Sequence, residues 1–153
     1  NRDQLAGVAG RLLGAVMPGV PVSGTLAGIG DDSVMVTRGI DGHFAILGAA
    51  GEKSVLYLID TGASFVTLSP ADARGAGIDP DKLSYDLPIR TANGTLLAAP
   101  VTIDRVAAGP IVRRNVRGLV APAGALDQSL LGMSFLDTLA SYAISGDRLV
   151  LTP

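Results

Sequence analysis

Residues 55–68 read VLYLIDTGASFVTL, and this stretch carries the strongest indication of the fold. Its first part, Val55–Ile59, is almost wholly apolar, which is typical of a strand buried on both faces. The strand leads directly into Asp60, although burying an unpaired carboxylate is costly. Gly62 permits a tight turn whose backbone N–H groups approach the carboxylate, and Thr61 offers a hydroxyl that locks the turn or reaches a second copy of it. The stretch therefore predicts a carboxylate on a turn at the end of a buried strand.

A surface turn is the alternative interpretation of the same tripeptide. Asp is a favoured first residue of β-turns, and Asp-Thr-Gly triplets are common. The apolar residues before Asp60 and the apolar run Phe65–Leu68 soon after it make a surface turn less natural. The motif by itself leaves both interpretations open.

The rest of the chain predicts short strands, tight turns and two short helices. The Asn-Gly pair at 93–94 is the strongest short hairpin signal, and Ser69 followed by Pro70 is typical of a helix start. A second short helix is predicted at Met133–Leu139. The predicted strands are His43–Leu47, Ser54–Ile59, Phe65–Leu68, Leu87–Thr91, Thr95–Ile103, Ile111–Val120, Tyr142–Ile144 and Arg148–Leu151, with a turn at Gly48–Lys53.

The first forty residues are predicted to form an N-terminal extension to a domain at 41–153. Apolar residues at helical spacing indicate a short helix over residues 1–17, ended by Pro18 and Gly19. A weak hairpin is predicted from Val22–Ile29 and Ser33–Thr37. Because the chain starts with Asn1 rather than Met, we expect it to be a processed or cloned piece, so an upstream anchor or leader has to be allowed for.

The composition fits one β-rich domain and excludes several kinds of chemistry. The chain has 153 residues, 48% hydrophobic and 17% charged, and its 20 Gly and 9 Pro divide the apolar residues into short runs. A net charge of −2, with both signs interspersed, argues against nucleic acid or a membrane surface as a partner. The absence of cysteine excludes disulfides, thiolate nucleophiles and cysteine-bound zinc. With His43 as the single histidine, we expect neither a metal site nor a cofactor.

The order of motifs along the chain resembles that of the retropepsin-like aspartic proteases, in particular their bacterial branch. These proteins carry an apolar strand into Asp-Thr/Ser-Gly-Ala, then a hairpin flap, then two apolar residues and a Gly before a short helix, then a last strand. The matching segments here are residues 58–64 (LIDTGAS), 91–94 (TANG), 130–136 (LLGMSFL) and 148–152 (RLVLT). The resemblance covers about residues 41–152 and implies a mostly β fold, a closed acid-protease barrel with one or two short helices.

The resemblance also implies roles for individual residues. Asp60 is expected to be the catalytic carboxylate, with Thr61, Gly62 and Ala63 completing the active-site loop. The flap is expected to span about residues 89–101, with its tip at Ala92, Asn93 and Gly94. Leu130, Leu131 and Gly132 are expected to pack behind the active-site loop. By resemblance alone, the domain is expected in the periplasm, as part of a precursor anchored in the inner membrane.

A single Asp-Thr-Gly has a consequence for the assembly. Peptide hydrolysis by carboxylates needs two of them around one water, and 153 residues do not hold two such lobes. We therefore predict a homodimer in which Asp60 of each subunit contributes to one site, with a peptide or protein as substrate. The apolar strand Arg148–Thr152 is predicted to supply an interface edge. The alternatives are an inactive binding or scaffold domain of the same fold and, with less support, a monomeric barrel with an incidental turn.

Overall fold

The computed structural model describes residues 32–91 and 94–153, together with the backbone of residues 21–23. The predicted N-terminal helix, residues 24–31 of the first predicted hairpin, and Ala92 and Asn93 lie outside these residues. The described elements are β1 (Pro21–Ser23), β2 (Val34–Thr37), β3 (Ala45–Ala50), β4 (Lys53–Ile59), β5 (Val66–Leu68), α1 (Pro70–Gly75), a 3-10 helix (Pro80–Lys82), β6 (Leu87–Thr91), β7 (Gly94–Ala108), β8 (Ile111–Val120), β9 (Leu130–Leu131), α2 (Met133–Leu136), β10 (Ser141–Ser145) and β11 (Arg148–Thr152).

A closed barrel forms the body of the molecule. Its strands follow the order β3-β4-β9-β5-β8-β7, and β3 closes the ring by pairing with β7 at Gly48↔Ala108. The closure depends on Gly48, because a Cβ there would collide with the carbonyl oxygen of Ala107. β6 pairs with β7 and extends the sheet as one arm of a hairpin. The predicted mostly β fold, a closed barrel with short helices, is confirmed.

The barrel interior explains why these apolar residues form strands. Tyr57, Ile46 and Leu131 are fully buried inside it, and Phe135 of α2 closes one end. Along β4, Val55 and Tyr57 face inwards, but Leu56 between them is 47% exposed. The prediction that this strand is buried on both faces is therefore wrong. A closed barrel has one inner face, so alternate residues of its strands point outwards.

A second, smaller sheet has the order β1-β2-β11-β10. β11 lies at its centre, with β2 on one side and β10 on the other, and its Leu149 and Leu151 are buried in the core. The prediction that Arg148–Thr152 offers a free edge is therefore wrong, because the chain itself covers both of its edges. On that side the outermost described strand of the sheet is β10, and all five of its residues are exposed.

The local predictions hold in most places. Ser69 caps α1, where its Oγ accepts a hydrogen bond from the Asp72 backbone N–H at 3.2 Å. The β3–β4 turn is tighter than predicted, since the strands pair up to Ala50↔Lys53 and Gly51 takes a φ of +58°. α2 is shorter than the predicted helix. β2 lies within the predicted extension, yet Val34 and Val36 belong to the same core as the barrel. No helix in the described ranges is long and apolar enough to cross a membrane.

Candidate active site

Asp60 lies where β4 ends, on a turn held by backbone hydrogen bonds. Its backbone N–H donates to the Leu131 carbonyl at 3.1 Å, and its own carbonyl accepts from the Ala63 N–H at 3.2 Å. Its Oδ1 accepts from the Gly62 N–H at 2.8 Å. The carboxylate is half-buried, while Thr61 and Gly62 are exposed. The turn thus fixes the carboxylate and leaves it open to solvent on one side.

The start of α2 holds this turn from behind. The Met133 N–H donates to the Ala63 carbonyl at 2.8 Å, and the Ser134 N–H donates to the Ser64 carbonyl at 2.9 Å. Gly132 permits this approach, because a Cβ there would collide with backbone atoms of Phe65 and with the Ala63 carbonyl. The helix therefore uses the free N–H groups of its first turn as donors to the active-site loop.

Ser134 adds a contact that the sequence did not indicate. Its Oγ accepts a hydrogen bond from the Val66 N–H at 2.8 Å and donates to the Arg117 carbonyl at 2.7 Å. It links the strand that leaves the active-site loop to β8. A lone serine in a short helix gives no sequence signal of such a contact.

An open cleft of about 900 Å³ lies over the Asp60 carboxylate. The loop residues Gly62 and Ala63 border it on one side, and the β6–β7 hairpin borders it on the opposite side. A third wall comes from the segment between β8 and β9, including Ala125 and Leu126, and continues into Leu130. No motif in the sequence indicates that this segment lines a cleft. The cleft is mainly apolar around one carboxylate, which suits an extended chain with apolar side chains.

The β6–β7 hairpin contains a backbone position that suits glycine. Gly94 has a φ of +116°, and a Cβ built there would meet nothing within 4 Å. Glycine is needed at this position for its backbone conformation rather than for space. The neighbouring predicted tip residues, Ala92 and Asn93, lie outside the described residues.

Thr61 borders a different cavity from Asp60. This smaller groove, of about 200 Å³, is also lined by Phe44 and Leu149 and by Tyr142 and Ile144 of β10. Tyr142 is 37% exposed and Ile144 57% exposed. The Asp-Thr-Gly turn therefore has two sides, one facing the cleft and one facing β10, the outermost strand of the smaller sheet among the described residues.

A buried polar cluster lies behind the cleft wall. Burial raises the pKa of the Tyr57 phenol, and the negative charge of Asp72 raises it further. The Tyr57 hydroxyl donates to the Ala49 carbonyl at 3.0 Å. Asp72 in turn accepts a hydrogen bond of 2.6 Å from Ser129, which is fully buried. Asp72 and Ser129 are far apart in the sequence, so no motif indicated their contact.

The comparisons with known proteins agree with this architecture, which is that of an acid-protease lobe. Residues 46–138 match the family described as "gag-polyprotein putative aspartyl protease". A crystal structure of a retropepsin-like aspartic protease from Rickettsia conorii is 38% identical, with a TM-score of 0.70 over 78% of this chain and 89% of that one. EIAV protease, solved with the inhibitor HBY-793, is 19% identical, with a TM-score of 0.53 over 72% of this chain and 100% of that one. This second likeness shows the fold alone.

Two curated relatives have similar sequences. An uncharacterized protein encoded in the cobV 5' region of a Sinorhizobium species is 41% identical over 98% of this chain and 64% of its own length. An uncharacterized protein of Rickettsia prowazekii is 38% identical over 77% of this chain and 50% of its own length. The chain thus spans between half and two thirds of these relatives. On the family match and the Rickettsia conorii structure, the chain belongs to the retropepsin-like aspartic protease family.

Proposed function

We propose that this chain is an aspartic endopeptidase that acts as a homodimer, with Asp60 of each subunit in one shared site. One observation carries the proposal: the Asp60 carboxylate is fixed by the Gly62 N–H at 2.8 Å and opens into a cleft of about 900 Å³. A cleft of this size accommodates several residues of an extended peptide. The family membership of the chain supports the same reaction class.

The chemistry needs two carboxylates and one water. Two like charges a few ångströms apart do not both ionise readily, so an aspartic dyad shares one proton. The ionised carboxylate takes a proton from the water, which attacks the peptide carbonyl, while the protonated carboxyl donates a hydrogen bond to the carbonyl oxygen. The carboxyl group that took the proton from the water then donates it to the leaving amine. The described chain offers one such carboxylate in the cleft, so a second subunit supplies the other.

The side of the molecule next to Thr61 is the surface we assign to the second subunit. It contains the outer edge of β10, which pairs with no other strand in the described part of the chain, the groove beside Thr61, and the exposed side chains of Tyr142 and Ile144. A free strand edge with apolar side chains readily pairs with another strand. A two-fold axis beside β10 brings the two Asp-Thr-Gly turns towards each other, with the Thr61 hydroxyls available for hydrogen bonds between subunits.

The remaining predicted residues receive roles in the same scheme. The β6–β7 hairpin, with Gly94 near its tip, acts as the flap that closes over bound peptide. Gly62 holds the carboxylate, and Ala63 connects the loop to α2 through its carbonyl. Leu130 borders the cleft, while Leu131 and Gly132 hold the active-site loop from behind.

The test is digestion of a peptide library by purified protein, followed by mass spectrometry. Asp60→Asn should abolish cleavage and leave the melting temperature unchanged or raised, because it removes a carboxylate from a like-charge pair. Asp104→Asn is the matched control, since Asp104 is an exposed residue of β7 outside the cleft lining. Cleavage that persists in pure Asp60→Asn protein would refute the proposal. A folded, dimeric wild type that cleaves no peptide would favour the inactive scaffold instead.

A further inference from the structure

A relay of polar contacts connects α1 to the segment that forms one wall of the cleft. The Ser129 Oγ donates to Asp72 Oδ2 at 2.6 Å and accepts from the Ser69 backbone N–H at 3.0 Å. Ser129 is fully buried, and both of these bonds are to groups at the start of the helix. Asp72 also faces the Lys53 Nζ at 4.0 Å. The hydrogen bond to an ionised acceptor is of the stronger kind.

The relay takes the place of one half of a capping box at the start of α1. In a capping box, the cap serine accepts from the N–H three residues later, and the acidic residue there reaches back to the N–H of the serine. Here the first half is present, since Ser69 Oγ accepts from the Asp72 N–H at 3.2 Å. In the second half, Ser129 stands between the two residues. Its Oγ accepts a hydrogen bond from the Ser69 N–H and donates one to the Asp72 carboxylate. A residue of the cleft wall segment has thus been built into the cap of α1.

The position of Ser129 makes this contact relevant to the cleft. Ser129 lies at the end of the loop 121–129 and directly before β9. β9 is held on both sides, by β4 at Leu58↔Leu130 and by β5 at Thr67↔Leu130. The loop before it contributes Ala125 and Leu126 to the cleft and has fewer links to the body of the protein.

The links of this loop can be compared directly. At its start, the Ala121 N–H donates to the Leu68 carbonyl at 3.0 Å. Near its end, the Gln128 Nε2 donates to the Leu56 carbonyl at 3.3 Å, in an exposed position. Ser129 has the two side-chain bonds above, and its carbonyl accepts from the Leu58 N–H at 2.9 Å. Within the part of the chain that the structure describes, the Ser129 side chain is therefore the buried side-chain anchor of this wall.

We propose that Ser129 and Asp72 are positioning residues for substrate binding, which set the cleft wall formed by Ala125 and Leu126 through the shared cap of α1. The proposal rests on the proposed protease function and names the residues that control how well the wall fits a substrate side chain. Neither residue touches the substrate or Asp60. Loss of the contact therefore weakens peptide binding and leaves the chemical step nearly unchanged.

The experiment measures KM and kcat separately, with a cleaved peptide whose apolar side chain contacts this wall. Ser129→Ala should raise KM by about five- to tenfold and change kcat by less than about twofold, the pattern expected when binding is lost equally in the ground and transition states. Asp72→Ala should do the same. The double variant should be no worse than the more severe single one, since both remove one contact. Asp72→Asn keeps an acceptor oxygen and should restore most of the affinity.

The control is a variant that loses stability without touching the relay. Ile111→Val removes one methylene from a buried residue at the start of β8, away from the cleft lining. Such a change lowers the melting temperature, and with it the active fraction near that temperature, but not the affinity of the folded protein. All variants are assayed well below their melting temperatures. If Ser129→Ala keeps the wild-type KM, or loses kcat alone, the proposal is wrong.

Amide hydrogen exchange gives a readout that does not need activity. Ser129→Ala should speed exchange of the Ala125 amide, which donates to the Pro122 carbonyl at 3.1 Å within the loop, by at least about tenfold, while the Asp60 amide, bonded to Leu131, stays protected. Ile111→Val should leave the loop amides unchanged. If the wild type cleaves no peptide, the protease function fails, and the exchange result alone then decides the positioning role. Equal exchange in wild type and Ser129→Ala would overturn that role.

Discussion

The dimer interface is the part of the proposal that a single charge tests most directly. Ile144 lies on the exposed strand β10 and lines the groove beside Thr61. Leu47 lies on the outer face of the barrel and offers a matched control. Leu47 is 54% exposed in the single chain and Ile144 is 57% exposed. We expect Ile144→Lys to separate the subunits and Leu47→Lys to leave the dimer intact.

The size of the effect follows from the exposure. Fully burying an isoleucine side chain contributes about 1.5–3 kcal/mol, so burying the exposed 57% of Ile144 contributes about 1–1.5 kcal/mol. A two-fold interface contains the residue twice, which gives about 2–3 kcal/mol per dimer. Since 1.4 kcal/mol is a factor of ten in Kd, Ile144→Lys should raise the dimer Kd by at least about 30- to 100-fold. Repulsion between the two lysines adds to this and weakens with salt.

Sedimentation velocity over a dilution series measures the Kd of each protein, and the rate of peptide cleavage is followed over the same series. Ile144→Lys should be monomeric and inactive at concentrations where wild type and Leu47→Lys are dimeric and active. Its activity per chain should return at concentrations near its own higher Kd. The reasoning is refuted if Ile144→Lys keeps the wild-type Kd, if Leu47→Lys weakens the dimer equally, or if a monomer cleaves peptide.

Three further predictions concern the hairpin, the active-site loop and the core. Gly94→Val should reduce kcat/KM at least about tenfold more than Gly77→Val does. Both glycines have positive φ and open surroundings, but of the two only Gly94 borders the cleft. Equal activity losses in the two variants would show that the hairpin is merely structural. Ala63→Ser adds a hydroxyl that stabilises an ionised carboxylate, so the pH–rate profile of kcat/KM should move to lower pH by roughly a unit or less, and an unmoved profile would contradict this. Because burial raises the pKa of Tyr57 in the folded state, its stabilising contribution is complete below about pH 10 and falls by about 1.4 kcal/mol per pH unit above it. Urea unfolding should show that Tyr57→Phe lacks this slope.

Local patterns in the sequence were enough to predict most of the strands and both short helices. The Asn-Gly pair at 93–94 marks the β6–β7 hairpin, and Ser69 with Pro70 marks the start of α1. Each signal depends on residues within a few positions of one another, where turn geometry and helix capping act. The Asp-Thr-Gly turn was predictable for the same reason, because an apolar strand and a glycine turn suffice to present Asp60.

The failures come from contacts between distant segments. β11 was expected to offer a free edge, but β2, more than a hundred residues earlier, covers it. Leu56 was expected to be buried, but its exposure depends on how the sheet closes through the β3–β7 pairing. The hydrogen bond between Ser129 and Asp72 was not predicted from the sequence. A serine in a loop and a carboxylate at a helix start are both common, so neither residue indicates a distant partner. Sequence periodicity carries no information on which segments meet in three dimensions.

The two sides of one short turn connect assembly with chemistry. Asp60 opens into the cleft, and its neighbour Thr61 borders the groove beside β10. Dimerisation in this scheme supplies the second carboxylate, while the Gly62 N–H of each chain already holds its own Asp60. A monomer therefore holds its own half of the site in place but lacks the complete dyad. Activity per chain therefore follows the fraction of chains in the dimer and falls on dilution below the dimer Kd.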